Sequence, residues 1–507
     1  MAEIVLSTLN AKYIHTGFGL RYLMANLGGL KSRARLIEFD LQQRAVDVAE
    51  TLLAEHPKIV GLGVYIWNAT QMAELAPVLK RAAPDVFLVL GGPEISHETE
   101  RQALAQWADC IIAGEADIEF SKLCNRVLEG KPPGERILRP VAPDLETLAM
   151  PYDLYDDEAI ANRVVYVETS RGCPFSCEFC LSSLETAVRR FPLEAFLVEM
   201  DKLIARGARQ FKFVDRTFNI HLPSAKAVLE FFLERFKPGM FLHFEMVPDR
   251  IPPELRDTLA RFPAGSIQLE IGVQTFNPEV AARIGRRQDY QALEENFHYL
   301  RGSTRAHLHA DLIFGLPGET LDSVGAGFDR LLALGPQEIQ VGILKRLRGA
   351  PISRHDQEWD MAYNPCPPYE ILRNSAIGFF DMQRLRRFAR YWDLTVNSGK
   401  FLESAPLIWE GAASAFAEFM AWSDWLFAQV GRQHGIALGR LAELLFIYVT
   451  TIRGRSAQES ADKMWRDWQR AGQRERPEFL ADYISNEEVS RVRKLAHASK
   501  RQDRHLG

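Results

Sequence analysis

The sequence predicts an α/β chain in three parts: a doubly wound (Rossmann-like) domain, a partial (β/α)6 barrel and a C-terminal α-helical domain. Short apolar runs alternate with helix-length amphipathic stretches at the start of the chain, and such runs are the mark of parallel strands covered on both faces. The alternation restarts with a different spacing after a proline-rich interval. Beyond about residue 366 it gives way to long helical periodicity with many aromatics.

In order along the chain, the first set of runs is "IVLSTLN" (4–10), "ARLIEFDL" (34–41), "IVGLGVYIW" (59–67), "VFLVLGGPE" (86–94) and "CIIAGE" (110–115). The segment "EGKPPGERILRPVAPDLETLAMPYDLYDD" follows, with the fixed φ and missing N–H groups that suit a linker. The second set is "VVYVETS" (164–170), "QFKFVD" (210–215), "FLHFEMV" (241–247), "SIQLEIGVQ" (266–274), "HLHADLIF" (307–314) and "EIQVGIL" (338–344). Six strand–helix units joined by right-handed crossovers wrap into a barrel or part of one. "AFAEFMAWSDWLFAQV" and "LGRLAELLFIYVTTI" then read as helices, and "RKLAHASKRQDRHLG" as a frayed tail. The expected division is 1–137 for the first domain, 138–158 for the linker, 159–360 for the barrel and 361–507 for the helical domain.

At 507 residues, 47% hydrophobic and 25% charged, the composition is that of a globular chain too long for one core. A net charge of −5 gives no general attraction to nucleic acid or anionic membrane. No apolar run is long enough to cross a bilayer, and the opening "MAEIVLSTLNAKYIHTGFG" lacks a secretory pattern, so a cytoplasmic location with no membrane partner is expected. Six cysteines are too few for a disulfide scaffold.

Three of the six stand together in "SRGCPFSCEFCLSS": Cys173, Cys177 and Cys180. No fourth cysteine or histidine lies nearby to complete a zinc tetrahedron. Three thiolates suit three irons of a cubane 4Fe-4S cluster, leaving one iron open to an outside ligand. A zinc clip, or three unconnected buried thiols, is the alternative. The loop directly follows the first barrel strand, at the end where such sheets bind ligands.

This spacing, with an aromatic (Phe179) just before the last cysteine, resembles the signature of the radical S-adenosylmethionine (SAM) superfamily. The resemblance implies that the open iron chelates the amino and carboxylate groups of SAM. It further implies reductive cleavage of SAM to methionine and a 5′-deoxyadenosyl radical that removes hydrogen from an unactivated position. "LEIGVQTFNPEVAARIGRRQD" and "HADLIFGLPGET" are similar to the fourth- and fifth-strand motifs of its coproporphyrinogen-dehydrogenase-like branch. Carried over, Phe179, Glu245, Gln274, Arg286 and Asp311 would contact SAM. Glu245 would take the ammonium, Arg286 the carboxylate, and Gln274 and Asp311 the ribose hydroxyls. Gly315 and Gly318 in "GLPGET" would let the backbone approach a ligand. Asp215 and Asn219 in "FVDRTFN" lie on the same side, with turn-forming and capping as the alternative.

A doubly wound domain ahead of such a barrel resembles the cobalamin (B12)-binding class of the superfamily. Tyr65 in "VYIWNAT", Gly91 and Gly92 in "LGGPEIS", and Gly114 and Glu115 in "AGEAD" match that class in position and type. The Asp-x-His-x-x-Gly motif that supplies cobalt with a lower ligand is absent from "NAKYIHTGFG". His15 is out of frame and suits a structural hydrogen bond equally well.

In the last part, "MQRLRRFARYW" interleaves Arg384, Arg386, Arg387 and Arg390 with aromatics, which suits either RNA or a solvated helix face. Tryptophans 409, 422, 425, 465 and 468 read as helical core. Cys110, Cys124 and Cys366 read as inert, although Cys366 sits on a loop after the last barrel strand from which it could reach the site. This part resembles an uncharacterised domain appended to some cobalamin-dependent radical SAM proteins. The main expectation is a cobalamin-dependent radical SAM methyltransferase acting on an unactivated carbon of a small molecule or an RNA. It would need a flavodoxin- or ferredoxin-like electron donor. Cyclisation, rearrangement or oxidation without methyl transfer stays open, as does a non-catalytic iron–sulfur protein that binds RNA or passes electrons.

Overall fold

The computed structural model describes residues 1–485 and 501–505. The first sheet contains six parallel strands: β1 (Ile4–Asn10), β2 (Ala34–Asp40), β3 (Ile59–Gly63), β4 (Phe87–Gly91), β5 (Cys110–Ile112) and β6 (Ile137–Leu138). Their order is β2-β1-β3-β4-β5-β6, so the sheet reverses direction beside β1 and β3. That is where open α/β sheets form a ligand crevice. β1 and β3 are buried along their whole length because helices cover both faces, giving one apolar cluster on each side of the sheet.

The second sheet runs β7 (Val165–Val167), β8 (Gln210–Phe213), β9 (Phe241–Met246), β10 (Ile267–Gln274), β11 (His307–Phe314) and β12 (Glu338–Ile343). These strands pair in parallel with their sequence neighbours, and β7 and β12 are the two ends of the sheet. In the middle strands burial alternates residue by residue. Most of the buried residues are apolar and pack under the outer helices, with Gln268 and His307 as buried polar exceptions, while the less buried ones include His243, Glu245, Glu270, His309 and Asp311.

All eleven strands read from sequence are present. β6 was not among them: its two residues lie at the edge of the segment read as a linker, and they add a sixth strand. The rest of that segment is packed. Tyr152 and Tyr155 are buried, and Leu145 and Leu148 join Tyr22 and Phe191 in a small cluster between the first domain and the barrel.

The C-terminal domain is helical, as expected, with one short antiparallel pair, Ala362–Tyr363 with Ile371–Arg373. It covers the free edge of the barrel. Asn397 donates through Nδ2 to the carbonyl of Ile339 (2.9 Å) and accepts from the Ile339 N–H (3.0 Å), filling hydrogen-bonding positions that an edge strand leaves open. The barrel core and the helical core are one continuous cluster, which takes in Trp422 and Trp465, with Trp409, Trp425 and Trp468 packed against it. The described end of the chain is not frayed: Arg501 reaches Glu338 (2.9 Å) and Gln502 reaches Gln268 (3.0 Å) at the first residues of β12 and near the start of β10. The rest of the segment read as a tail lies outside the described residues. No helix among the described residues is long and apolar enough to cross a membrane.

Candidate functional site

The cysteine loop is held by its neighbours. Glu178 accepts from Arg354 (2.5 Å) and shares a 2.8 Å hydrogen bond with His355. Its backbone bonds Ile284 on one side and Ile352 on the other. Gly172 has φ +95°, and a Cβ there would run into the carbonyl of Ala187, so a side chain would displace the entry to the loop. At Gly285 a Cβ would meet the Ser176 carbonyl at 2.5 Å.

Cys173, Cys177 and Cys180 line a cavity of about 160 Å³ together with Phe179, Glu245, Glu270, Gln274, Arg286 and Asp311. All five side chains expected to contact SAM are therefore brought to the three thiols, although they come from the cysteine loop, β9, β10, the segment after β10 and β11. Burial raises the pKa of the Cys173 and Cys177 thiols. Among the described residues no three His, Cys, Asp or Glu side chains converge on a point that would hold a single metal ion. Thiols spread around a cavity fit a polynuclear cluster, whose irons stand apart, better than a zinc clip.

The backbone aims these side chains in specific ways. The β10–β11 register shifts between Gly272 and Gln274, and Gln274 takes φ +72°, a left-handed conformation that non-glycine residues rarely adopt. The bulge turns the Gln274 amide over Gly272, where a Cβ would lie 2.6 Å from Nε2. Arg286 is already engaged. It donates to the Gly272 carbonyl and to Gln288 Oε1 (3.2 Å), and Nη1 lies 3.6 Å from Cys177 Sγ. Glu245 pairs with Arg216 at 3.2 Å. Burial raises the pKa of both Glu245 and Asp311. Asp311 Oδ1 is buried with no hydrogen bond, and His309 Nε2, also without one, stands 3.4 Å away.

Asp215 and Asn219 take the capping role. Asp215 accepts from the Thr169 N–H and from the hydroxyls of Thr169 and Ser170 (2.6 Å each), and Asn219 bridges Val247 and Arg250. The "GLPGET" turn departs from expectation. A Cβ at Gly315 would meet Ile371 at 2.6 Å, and one at Gly318 would meet Trp359 at 2.7 Å. The close approach these glycines permit is therefore to the protein's own side chains. Cys366 is exposed and lines neither this cavity nor the one in the first domain, while burial raises the Cys110 thiol to about 11 and the Cys124 thiol to about 12.

In the first domain a cavity of about 290 Å³ opens at the C-terminal ends of β1, β3, β4 and β5. Its wall contains Gly61, Gly63, Tyr65, Gly91, Gly92, Gly114 and Glu115, so every residue expected around cobalamin lies on it. At Gly91 a Cβ would sit in ordinary contact with the Ile112 carbonyl at 3.6 Å, whereas at Gly92, with φ +105°, it would run into the Val64 carbonyl at 2.5 Å. Tyr65 stacks on Trp67 with ring centroids 4.5 Å apart, and both also line a second cavity between this domain and the barrel. His15 shares a 2.6 Å hydrogen bond with the Tyr166 hydroxyl, a structural bond across the two domains. The Glu115 carboxylate is committed to Arg171 (2.8 Å) and Arg189.

Sequence reasoning passed over three residues. Arg171 ties the cysteine loop to Glu115 and to Asp117 (2.9 Å) of the first domain. Glu168 lies beside it, buried, with its pKa pushed up to about 7 by desolvation. Arg216 sits between the two capping residues. The first two lie in "ETSRG", next to the cysteines, which is the only signal the sequence offered for them. The arginines of Phe379–Trp392 are paired: Arg384 and Arg387 with Asp424, Arg386 with Glu370, Arg390 with Asp393. They are therefore neither a row of free phosphate contacts nor a face turned to water: all four are engaged by acids, and Arg387 is largely buried against Phe427.

Three known families match successive parts of the chain. Residues 4–123 match the B12 binding domain, 167–330 the Radical SAM superfamily, and 357–506 a protein family of unknown function, DUF4080. The chain is 26% identical over 440 residues to the cobalamin-dependent radical SAM methyltransferase TokK of Streptomyces tokunonensis, covering 78% of this chain and 62% of that one. It is 24% identical over 309 residues to an uncharacterised methyltransferase of Pyrococcus horikoshii, covering 55% and 65% respectively. It thus spans a little under two thirds of either relative's length. The fold is like that of the radical SAM methyltransferase TsrM of Kitasatospora setae, solved with cobalamin and a [4Fe-4S] cluster. The TM-score is 0.59 and identity 17%, over 93% of this chain and all of that one. Three thiols around a polar cavity at the strand ends of a parallel barrel, behind a doubly wound domain with a glycine-walled cavity, thus belong to a chain with a B12-binding domain at 4–123 and a radical SAM domain at 167–330.

Proposed function

We propose that the protein is a cobalamin-dependent radical SAM methyltransferase. Residues 1–137 would hold the corrinoid, 159–360 the cluster and SAM, and 361–507 would shape access for the substrate. One observation carries this reading: the short segment from Glu168 to Cys180 contributes to both cavities. Glu168 and Arg171 line the glycine-walled cavity, and Cys173, Cys177 and Cys180 line the other. Two cofactor sites joined by one loop suit a reaction in which both act on one substrate.

When bound, the 4Fe-4S cluster supplies the electron that cleaves SAM, and the corrinoid supplies the methyl group. Cys173, Cys177 and Cys180 would each hold an iron. Glu245, Gln274, Arg286 and Asp311 bring a carboxylate, an amide, a guanidinium and a second carboxylate to the cavity that would take SAM, with Phe179 beside the cluster. Arg286, 3.6 Å from Cys177 Sγ, adds a positive charge that favours the thiolate. Tyr65, Gly91, Gly92, Gly114 and Glu115 form the corrinoid side. The electron comes from an external donor of flavodoxin or ferredoxin type.

The test is anaerobic purification with added cobalamin. The expected product carries about four irons per chain and one cobalt, shows a SAM-induced change in the spectrum of its reduced cluster, and moves a labelled methyl group from SAM. Alanine at Cys173, Cys177 or Cys180 should abolish SAM cleavage. A four-iron protein that does not respond to SAM would refute the reading, and deoxyadenosine production without methyl transfer would turn it to the non-methylating alternative.

A further inference from the structure

We propose that the protein binds an acid group of its substrate, a carboxylate or a phosphate ester, between the open edge of the barrel and helix Phe379–Trp392. The site rests on the methyltransferase reading only in that its ligand is called the substrate. A cavity of about 480 Å³, the size of a small-molecule pocket, lies there. Its wall includes β12 from Gln340 to Ile343, Lys345, Arg386 and Arg390 of the helix, and Arg501.

The helix divides its arginines between two sides. Arg384 and Arg387 turn to Asp424, with Arg387 over the ring of Phe427, and neither lines the cavity. Arg386 and Arg390 are four residues apart, hence on one face, and both line it. Arg386 meets Glu370 at 2.7 Å and Arg390 meets Asp393 at 3.2 Å. A guanidinium has five N–H donors, so neither acid uses up its arginine. Arg501 is shared between Asp393 and Glu338, each at 2.9 Å. Four cations thus face three carboxylates. The one left over is Lys345, which is exposed and has no ion pair among the described residues.

The backbone adds donors of its own. Asn397 accepts the Ile339 N–H at the outer edge of β12, and strand alternation turns the N–H groups of Val341 and Ile343 to the same edge, where both residues line the cavity. A sheet edge of this kind, set in a concavity, favours anions. The site also adjoins the proposed chemistry. His309, in its wall, has Nε2 3.4 Å from Oδ1 of Asp311, in the wall of the cysteine cavity. A molecule anchored by its acid group at the helix extends past Gln340 and His309 toward that cavity. An RNA strand would need a track of cations along its backbone, and the other two arginines of the helix face away.

The test titrates the reconstituted protein, saturated with SAM, with inorganic phosphate and with malonate, using glycerol as the neutral control and reading heat. Wild type should bind at least one acid saturably, and which one it binds separates a phosphate ester from a carboxylate. R386Q and R390Q should each weaken binding by about 10- to 100-fold, the range for a charge-assisted hydrogen bond. R384Q, on the other side of the same helix, should leave it unchanged. If R386Q or R390Q melts earlier than wild type, the decision passes to K345Q, which breaks no ion pair: weaker binding supports the site, and unchanged binding overturns it. No saturable binding of either acid, an equal loss in R384Q, or binding of single-stranded RNA by a protein that ignores both small acids would each overturn it. A protein that binds the acids but never cleaves SAM would refute the methyltransferase reading and leave the anion site standing. Methyl transfer by a protein without the anion site would do the reverse.

Discussion

Where the first domain meets the barrel, Arg171 bonds Glu115 (2.8 Å) and Asp117 (2.9 Å), and Arg348 bonds Glu94 (2.9 Å) and Glu98 (3.0 Å). Where the helical domain meets the barrel, Phe388 and Trp392 enter the barrel's own core, with Phe328 edge-on to Trp392 at 4.7 Å and to Phe388 at 5.0 Å. One junction is held by charges, with a small cluster around Tyr22 and Leu145, and the other by a continuous apolar core. Charged contacts exchange for water at little net cost, whereas apolar burial is lost outright on separation. The first domain is thus attached in a way that permits opening without unfolding, which suits a domain that must admit a large cofactor. The helical domain is part of the barrel's fold.

The largest effect should come from the apolar junction. Trp392 is 1% exposed, and Trp392→Ala removes a large side chain from a filled site. A loss of about 4 kcal/mol is expected. Calorimetry should show the barrel and helical domain melting together at lower temperature, with the first domain unmoved. Separate melting of the helical domain would break the comparison. Next comes Arg171→Ala, which strands Glu168 and Asp117, both buried, without their cation. A loss of about 3 kcal/mol is expected at the charged junction. Here the first domain should melt as a separate early transition while the barrel keeps its own. A downward shift of the barrel transition would show that Arg171 serves the barrel fold and not the docking.

The same contrast explains what was legible in the sequence. Burial on both faces leaves apolar runs, so β1 was placed at Ile4–Asn10 to the residue. β6 has only two residues and carries no run to read. The thiols were legible from spacing, and Glu245, Gln274, Arg286 and Asp311 from motifs along β9 to β11. What could not be read were pairings between distant residues. Arg171 with Glu115 spans 56 positions, and Arg348 with Glu94 spans 254, and nothing local marks either. Gly315 and Gly318 were read as places for a ligand to approach, whereas the groups they admit, Ile371 and Trp359, are the protein's own and lie far along the chain. Arg216 escaped because its neighbours' caps accounted for the motif. The single outward-facing residue of a clamped loop becomes visible only once the clamps are seen.

The smallest effect sharpens the comparison through pH. Glu168 lies at the charged junction beside Arg171, Asp215, Tyr22 and Tyr152, and burial raises its pKa from the ordinary 4.5 to about 7 against the opposing pull of Arg171. Between those values the folded protein keeps a proton that the unfolded chain has released. Stability therefore falls as pH rises through this window and is flat above it. From about pH 5 to about pH 6.5 the loss is on the order of 2 kcal/mol. Glu319, pushed to about 7, and Asp467, pushed to about 6, add slopes of the same sign in the barrel and the helical domain. The informative quantity is therefore the difference between wild type and Glu168→Gln, measured on the first transition with Arg171 intact. That difference should shrink toward pH 5 and grow toward pH 7. A difference that does not change with pH would mean that Glu168 is ionised throughout, and the charged junction would then hold one more fixed ion pair than its burial implies.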